Sequence, residues 1–121
     1  MARILVIEDE PPVRENLVRF LKLEGHQVAE APDGEAGVAQ ALRERPDLIL
    51  CDVMMPRLNG FEVLSTLQRD PALRSVPFVF LSASAEPERM AEAVGMGARG
   101  YVTKPFSLAD LKAVLRQHLA A

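Results

Sequence analysis

Five times along the chain a short, continuously apolar run is followed by a segment with helical spacing, and that alternation leaves few folds open. The runs are Ile4–Ile7, Gln27–Ala31, Leu48–Cys51, Val76–Leu81 and Gly100–Thr103. They are apolar on successive more than on alternate positions, which suits strands buried on both faces of a parallel sheet. Val13, Leu17, Phe20 and Leu21 recur at helical intervals, as do Leu108, Leu111, Val114, Leu115 and Leu119. Gly34–Arg45 is alanine-rich, Gly60–Gln68 carries Phe61, Val63, Leu64 and Leu67, and Glu86–Met96 is rich in alanine and methionine. Gly25, Asp70-Pro71, Gly95 and Gly97 supply stops, and Ser107 with Asp110 reads as the start of the last helix. Parallel strands need crossovers of about a dozen residues or more, and these helices provide them. The expected fold is a doubly wound α/β domain: five parallel strands in the order 2-1-3-4-5, with five helices on both faces.

The chain has 121 residues and no internal repeat or linker, so it is read as one domain, 1–121. A net charge of −3 without a basic cluster argues against nucleic acid or an anionic membrane as a direct partner. The apolar run at the N-terminus is too short for a signal peptide, and no segment reaches the roughly 18 apolar residues of a membrane span. A single cysteine, Cys51, excludes an internal disulfide and reads as core packing. The expected location is the cytoplasm.

In a sheet of this kind ligands bind beyond the carboxyl ends of the strands, where the winding reverses. The first strand is followed by Glu8 and Asp9, the third by Asp52, the fourth by Ser82 and the fifth by Lys104. The second ends in Ala31-Pro32, without side-chain chemistry, and belongs at an edge. Carboxylates about 5 Å apart repel by roughly 1–3 kcal/mol at intermediate dielectrics. A hard divalent cation relieves that repulsion, and an all-oxygen set without His or Cys favours Mg²⁺ (or Mn²⁺) over zinc. One carboxylate could then attack a phosphoryl group neutralised by the metal and Lys104, with Ser82 donating to a phosphoryl oxygen beside the small Ala83.

Each residue also has a plainer reading. Asp9 before Pro11-Pro12 could cap a helix, Asp52 could be an ordinary turn acid, and Lys104 a solvated lysine. Asn59-Gly60 reads as the turn into the third helix, and Met55, Met90 and Met96 as packing. His26 and His118 have no ligand-spaced partners, and His118 near a helix end favours the dipole.

Together, however, Glu8-Asp9, Asp52-Val53-Met54-Met55-Pro56 with Asn59-Gly60, Ser82-Ala83 and Lys104-Pro105-Phe106 resemble the receiver signature of two-component response regulators, a CheY-like, flavodoxin-like fold. The resemblance runs from Ile4 to about Leu119. It implies that Asp52 accepts a phosphoryl group from a sensor histidine kinase or phosphotransfer protein. Glu8, Asp9, Asp52 and the backbone carbonyl of Met54 would hold Mg²⁺, and Ser82 and Lys104 would contact phosphoryl oxygens. It further implies a cis Lys104–Pro105 bond. Tyr101, which could otherwise be packing, would be the switch aromatic that turns inward as Ser82 moves. The surface of the fourth helix, fifth strand and fifth helix would then change for an effector protein or output domain, in a monomer or a phosphorylation-promoted dimer.

Glu8 stands where aspartate is more usual, and Gly97–Tyr101 lacks the acidic pair of the family's commonest DNA-binding branch. Met54 and Ser84 occupy positions that tune phosphoryl lifetime, and an apolar Met54 implies slow self-hydrolysis. Such a chain is a phosphoacceptor rather than an enzyme, either stand-alone or the receiver of a longer protein. The nearest alternative is a pseudo-receiver acting as a phosphorylation-independent interaction module. A haloacid-dehalogenase-like phosphatase would need an aspartate where Met54 stands. A nucleotide or flavin binder would need a glycine- or hydroxyl-rich loop where Glu8-Asp9-Glu10 stands.

Overall fold

The computed structural model describes residues 2–83 and 86–119. Strands and helices alternate throughout: β1 (Arg3–Ile7), α1 (Pro11–Leu23), β2 (Gln27–Ala31), α2 (Gly34–Arg43), β3 (Leu48–Asp52), α3 (Gly60–Gln68), β4 (Phe78–Ser82), α4 (Pro87–Gly95), β5 (Gly100–Thr103) and α5 (Leu108–His118). All four strand pairings are parallel, in the order β2-β1-β3-β4-β5. The doubly wound α/β fold expected from the alternation is the fold observed.

The continuous apolar runs are explained by the two-residue period of a strand, which sends successive side chains to opposite faces. Leu5, Ile7, Ile49, Cys51, Phe78 and Phe80 join Ala41, Val63, Leu64, Leu67 and Ala93, so α2, α3 and α4 cover that face. Ile4, Val6, Leu48, Leu50, Val79 and Leu81 join Leu17, Leu21, Leu111, Val114 and Leu115, so α1 and α5 cover the other. Cys51 packs in the first of these clusters with no exposure, as expected.

Several boundaries differ from the sequence reading. β4 begins at Phe78 rather than Val76, because Pro77 has no N–H for the ladder and Val76 donates instead into the preceding turn, to Leu73. β3 continues through Asp52, pairing it with Leu81, so the carboxylate sits on the strand itself. The N-cap of α1 is Glu10 and not Asp9, which overturns the capping reading of Asp9. Asn59 and Ser107 cap α3 and α5, each in a reciprocal capping box, with Glu62 and Asp110 respectively. Gly97 has φ +102°, the left-handed conformation expected of a helix stop. His26 accepts the Ala2 backbone N–H through Nδ1 and is structural. At His118 burial, and then the charge of Arg99, pull the imidazole below its ordinary value, opposing what the helix dipole would favour.

Candidate functional site

The carboxyl ends of β1, β3, β4 and β5 bring one group each to the same crevice. Glu8, just past β1, is fully buried, and its N–H donates to the Ala31 carbonyl at 3.1 Å, prolonging the β1–β2 pairing. Its Oε2 accepts the Glu10 N–H at 3.2 Å. Asp52 closes β3 and is 4% exposed, while Ser82 closes β4 and is buried. Beyond β5 the Lys104 N–H donates to the Ser82 carbonyl at 2.7 Å, and the Lys104–Pro105 bond is cis, as the resemblance implies.

Lys104 is the cation of this crevice. Its Nζ lies 2.6 Å from Glu8 Oε1, 3.4 Å from Asp52 Oδ1 and 3.8 Å from Glu10 Oε1. Burial works to lower its ammonium pKa. The hydrogen bond to Glu8 and the charges of Asp52 and Glu8 outweigh burial and hold the ammonium above its ordinary value. One lysine does not balance the acids around it. Burial first, then the Glu8 charge, push the Asp52 carboxyl up to about 7, with Lys104 opposing and the Glu8 and Asp9 carboxyls adding as hydrogen-bonding neighbours.

The three carboxylates that converge within 4.8 Å are Glu8, Glu10 and Asp52. Glu10 was missed by sequence reasoning, although its place in an unbroken run of three acids was a signal. Asp9 is not one of the three. Its Oδ1 is instead a buried oxygen with no hydrogen-bond partner among the described residues. A buried carboxylate oxygen without a hydrogen-bond partner costs free energy, and beside an all-oxygen acidic cluster it is a suitable ligand atom for a hard cation. The donor set therefore fits a divalent metal ion such as Mg²⁺.

Met54 is exposed, and its sulfur lies 3.8 Å from Arg89 Nη1 on α4. Tyr101 is half-buried on edge strand β5, its ring centroid 6.5 Å from that of Phe80. Ser84 lies outside the described residues. Gly60 opens α3 directly against the end of β3: a Cβ there would strike the Asp52 carbonyl oxygen and come within 2.9 Å of Phe80 and of the Val53 Cα. The helix that follows the Asp52 loop can seat on the site only because this residue has no side chain.

The family model for the response regulator receiver domain matches residues 4–116. The phosphate regulon transcriptional regulatory protein PhoB of Escherichia coli is 41% identical over 119 residues, covering 95% of this chain and 52% of its own length. The chain thus spans about half the length of the PhoB proteins it matches. Protein PilH of Pseudomonas aeruginosa is 36% identical over 120 residues and is covered end to end, at 99% of each chain. The receiver domain of the sensor histidine kinase PA1611 of Pseudomonas aeruginosa, solved with a magnesium ion coordinated in its active-site cleft, superposes with a TM-score of 0.89. It is 30% identical, with 97% of this chain and 96% of that one covered. On its sequence, its fold and the acidic crevice at the ends of β1 and β3, this chain belongs to the receiver-domain family of two-component response regulators.

Proposed function

We propose that this chain is a phosphoacceptor switch in which Asp52 receives a phosphoryl group from the phosphohistidine of a sensor kinase or phosphotransfer protein. The observation that carries the reading is the buried Asp52 carboxylate at the end of the central strand, with an ammonium 3.4 Å away. Glu8, Asp9, Asp52 and the Met54 carbonyl would hold Mg²⁺, with Glu10 close enough to assist. The bound metal would supply positive charge that favours ionised Asp52 and offsets the charge on the transferring group. An Asp52 oxygen attacks phosphorus as the phosphorus–nitrogen bond to the donor imidazole breaks, and the departing electron pair returns to the ring. Lys104 is placed to neutralise a phosphoryl oxygen, which requires it to exchange its bond to Glu8. Ser82 would donate to another.

The chain would act as a signalling phosphoacceptor and not as an enzyme with a separate substrate. Movement of Ser82 towards the phosphoryl group would free space for Tyr101 to turn inward, altering the α4–β5–α5 face for an effector protein or output domain. Phosphorylation adds about 1.5–2 negative charges, and couplings of this kind amount to about 1–3 kcal/mol. Among the described residues no helix is long and apolar enough to cross a membrane. The thioether of Met54 offers no group to orient an attacking water, so the aspartyl phosphate should decay slowly. A half-life of seconds would refute that part.

The test is incubation with acetyl phosphate or phosphoramidate and Mg²⁺, read as intact mass, beside Asp52→Ala and an EDTA control. One phosphoryl group gained by the unaltered protein alone supports the reading. No adduct from small donors or from a phosphorylated kinase would overturn it and favour a phosphorylation-independent interaction module.

A further inference from the structure

Arg14, on the first turn of α1, is mostly buried and points back under the acidic loop. Its Nη1 donates to the Glu8 carbonyl at 2.9 Å, and its Nε donates to Glu30 Oε1 on β2 at 3.2 Å. The Glu8 N–H to Ala31 and the Glu10 N–H to Glu8 Oε2 also hold this turn, but α1 opens on Pro11-Pro12 and its N-cap Glu10 makes no side-chain capping bond. Edge strand β2, silent by its carboxyl end, reaches the site through Glu30. We propose that Arg14 is a positioning residue for the metal site: braced by Glu30, it fixes the Glu8 backbone so that the Glu8–Glu10 carboxylates stand ready for a cation.

The inference rests on the metal-site reading above, and its signature is a sign. Arg14 is a cation close to an acidic cluster, so if it acted by charge alone, removing it would strengthen Mg²⁺ binding. If it acts by positioning, removing it weakens binding despite the more negative site. Partners that orient metal ligands typically contribute about 10–100-fold to affinity.

The experiment is calorimetric titration of the 121-residue protein with Mg²⁺, for the unaltered chain, Arg14→Ala, Arg14→Lys, Glu30→Gln and Asp52→Ala, with urea unfolding of each metal-free form. Arg14→Ala should weaken Mg²⁺ about tenfold. Arg14→Lys keeps the charge but cannot span both acceptors, and should recover only part of the affinity. Glu30→Gln should weaken binding less. Tighter binding in Arg14→Ala, full affinity in Arg14→Lys, or a loss of stability with unchanged Mg²⁺ affinity would each overturn the proposal. An unaltered chain that binds no Mg²⁺, or an Asp52→Ala that binds it equally well, would instead overturn the underlying metal-site reading. Should Arg14→Ala not fold, Arg14→Lys and Glu30→Gln still decide.

Discussion

Replacing Asp52 with asparagine should make the metal-free protein more stable at neutral pH, although it removes the residue on which the function is proposed to depend. The carboxyl is buried beside Glu8 and is raised from an ordinary value of 3.8 to about 7. A folded state that holds a proton the unfolded chain releases loses stability as pH rises between those two values. For an isolated group, moving from about pH 5 to about pH 8 would cost roughly 2–3 kcal/mol at about 1.4 kcal/mol per pH interval of shift. Lys104 at 3.4 Å already enters that value as the opposing charge. Asparagine keeps the shape and removes the titration, so the variant should lack this part of the pH slope.

Urea unfolding of both proteins in EDTA at about pH 5 and about pH 8 reads the difference directly. His118, depressed below its ordinary value, contributes in the opposite direction, but it is present in both proteins and cancels. Saturating Mg²⁺ should then restore the unaltered protein at about pH 8 and do little for Asp52→Asn, since a ligand stabilises only the form it binds. Parallel pH slopes in the two metal-free proteins would refute the argument, because they would place the titrating group elsewhere.

Other perturbations follow from the same geometry. Gly60→Ala should destabilise by about 1–3 kcal/mol in urea, because its Cβ meets the Asp52 carbonyl and Phe80; it should also slow phosphorylation, since that carbonyl cannot yield without moving Asp52. Arg57 has φ +68°, and among the described residues its ion pairs are surface ones, with Asp33 and Glu35. Arg57→Gly should therefore leave the urea-unfolding free energy unchanged or raise it by at most about 1 kcal/mol of relieved strain, and a clear drop would contradict this. Arg99→Gln removes one of the two causes that depress His118, so the imidazole should titrate at higher pH by NMR.

The fold was legible because two-face burial leaves an unmistakable trace: successive strand positions must be apolar when one residue faces α1 and α5 and the next faces α2, α3 and α4. The four strand ends were legible for a related reason, since a parallel sheet carries each carboxyl end to the same edge whatever lies between. What escaped the sequence reading was set by distances within loops and across the sheet. Glu10 and Asp9 are adjacent acids, and only the path into α1 decides that Glu10 joins Glu8 and Asp52 while Asp9 keeps a buried oxygen without a hydrogen-bond partner among the described residues. Arg14 and Glu30 lie 16 residues apart. Neither stands at a strand end, so an inventory of strand ends passes over both. Yet the pairing Ile7↔Ala31, the last of the β1–β2 ladder, sets Glu30 of β2 beside the turn that Arg14 braces. A strand whose own carboxyl end carries no chemistry can thus support a site through the residue before that end, a contribution that register shows and strand-end inventory does not.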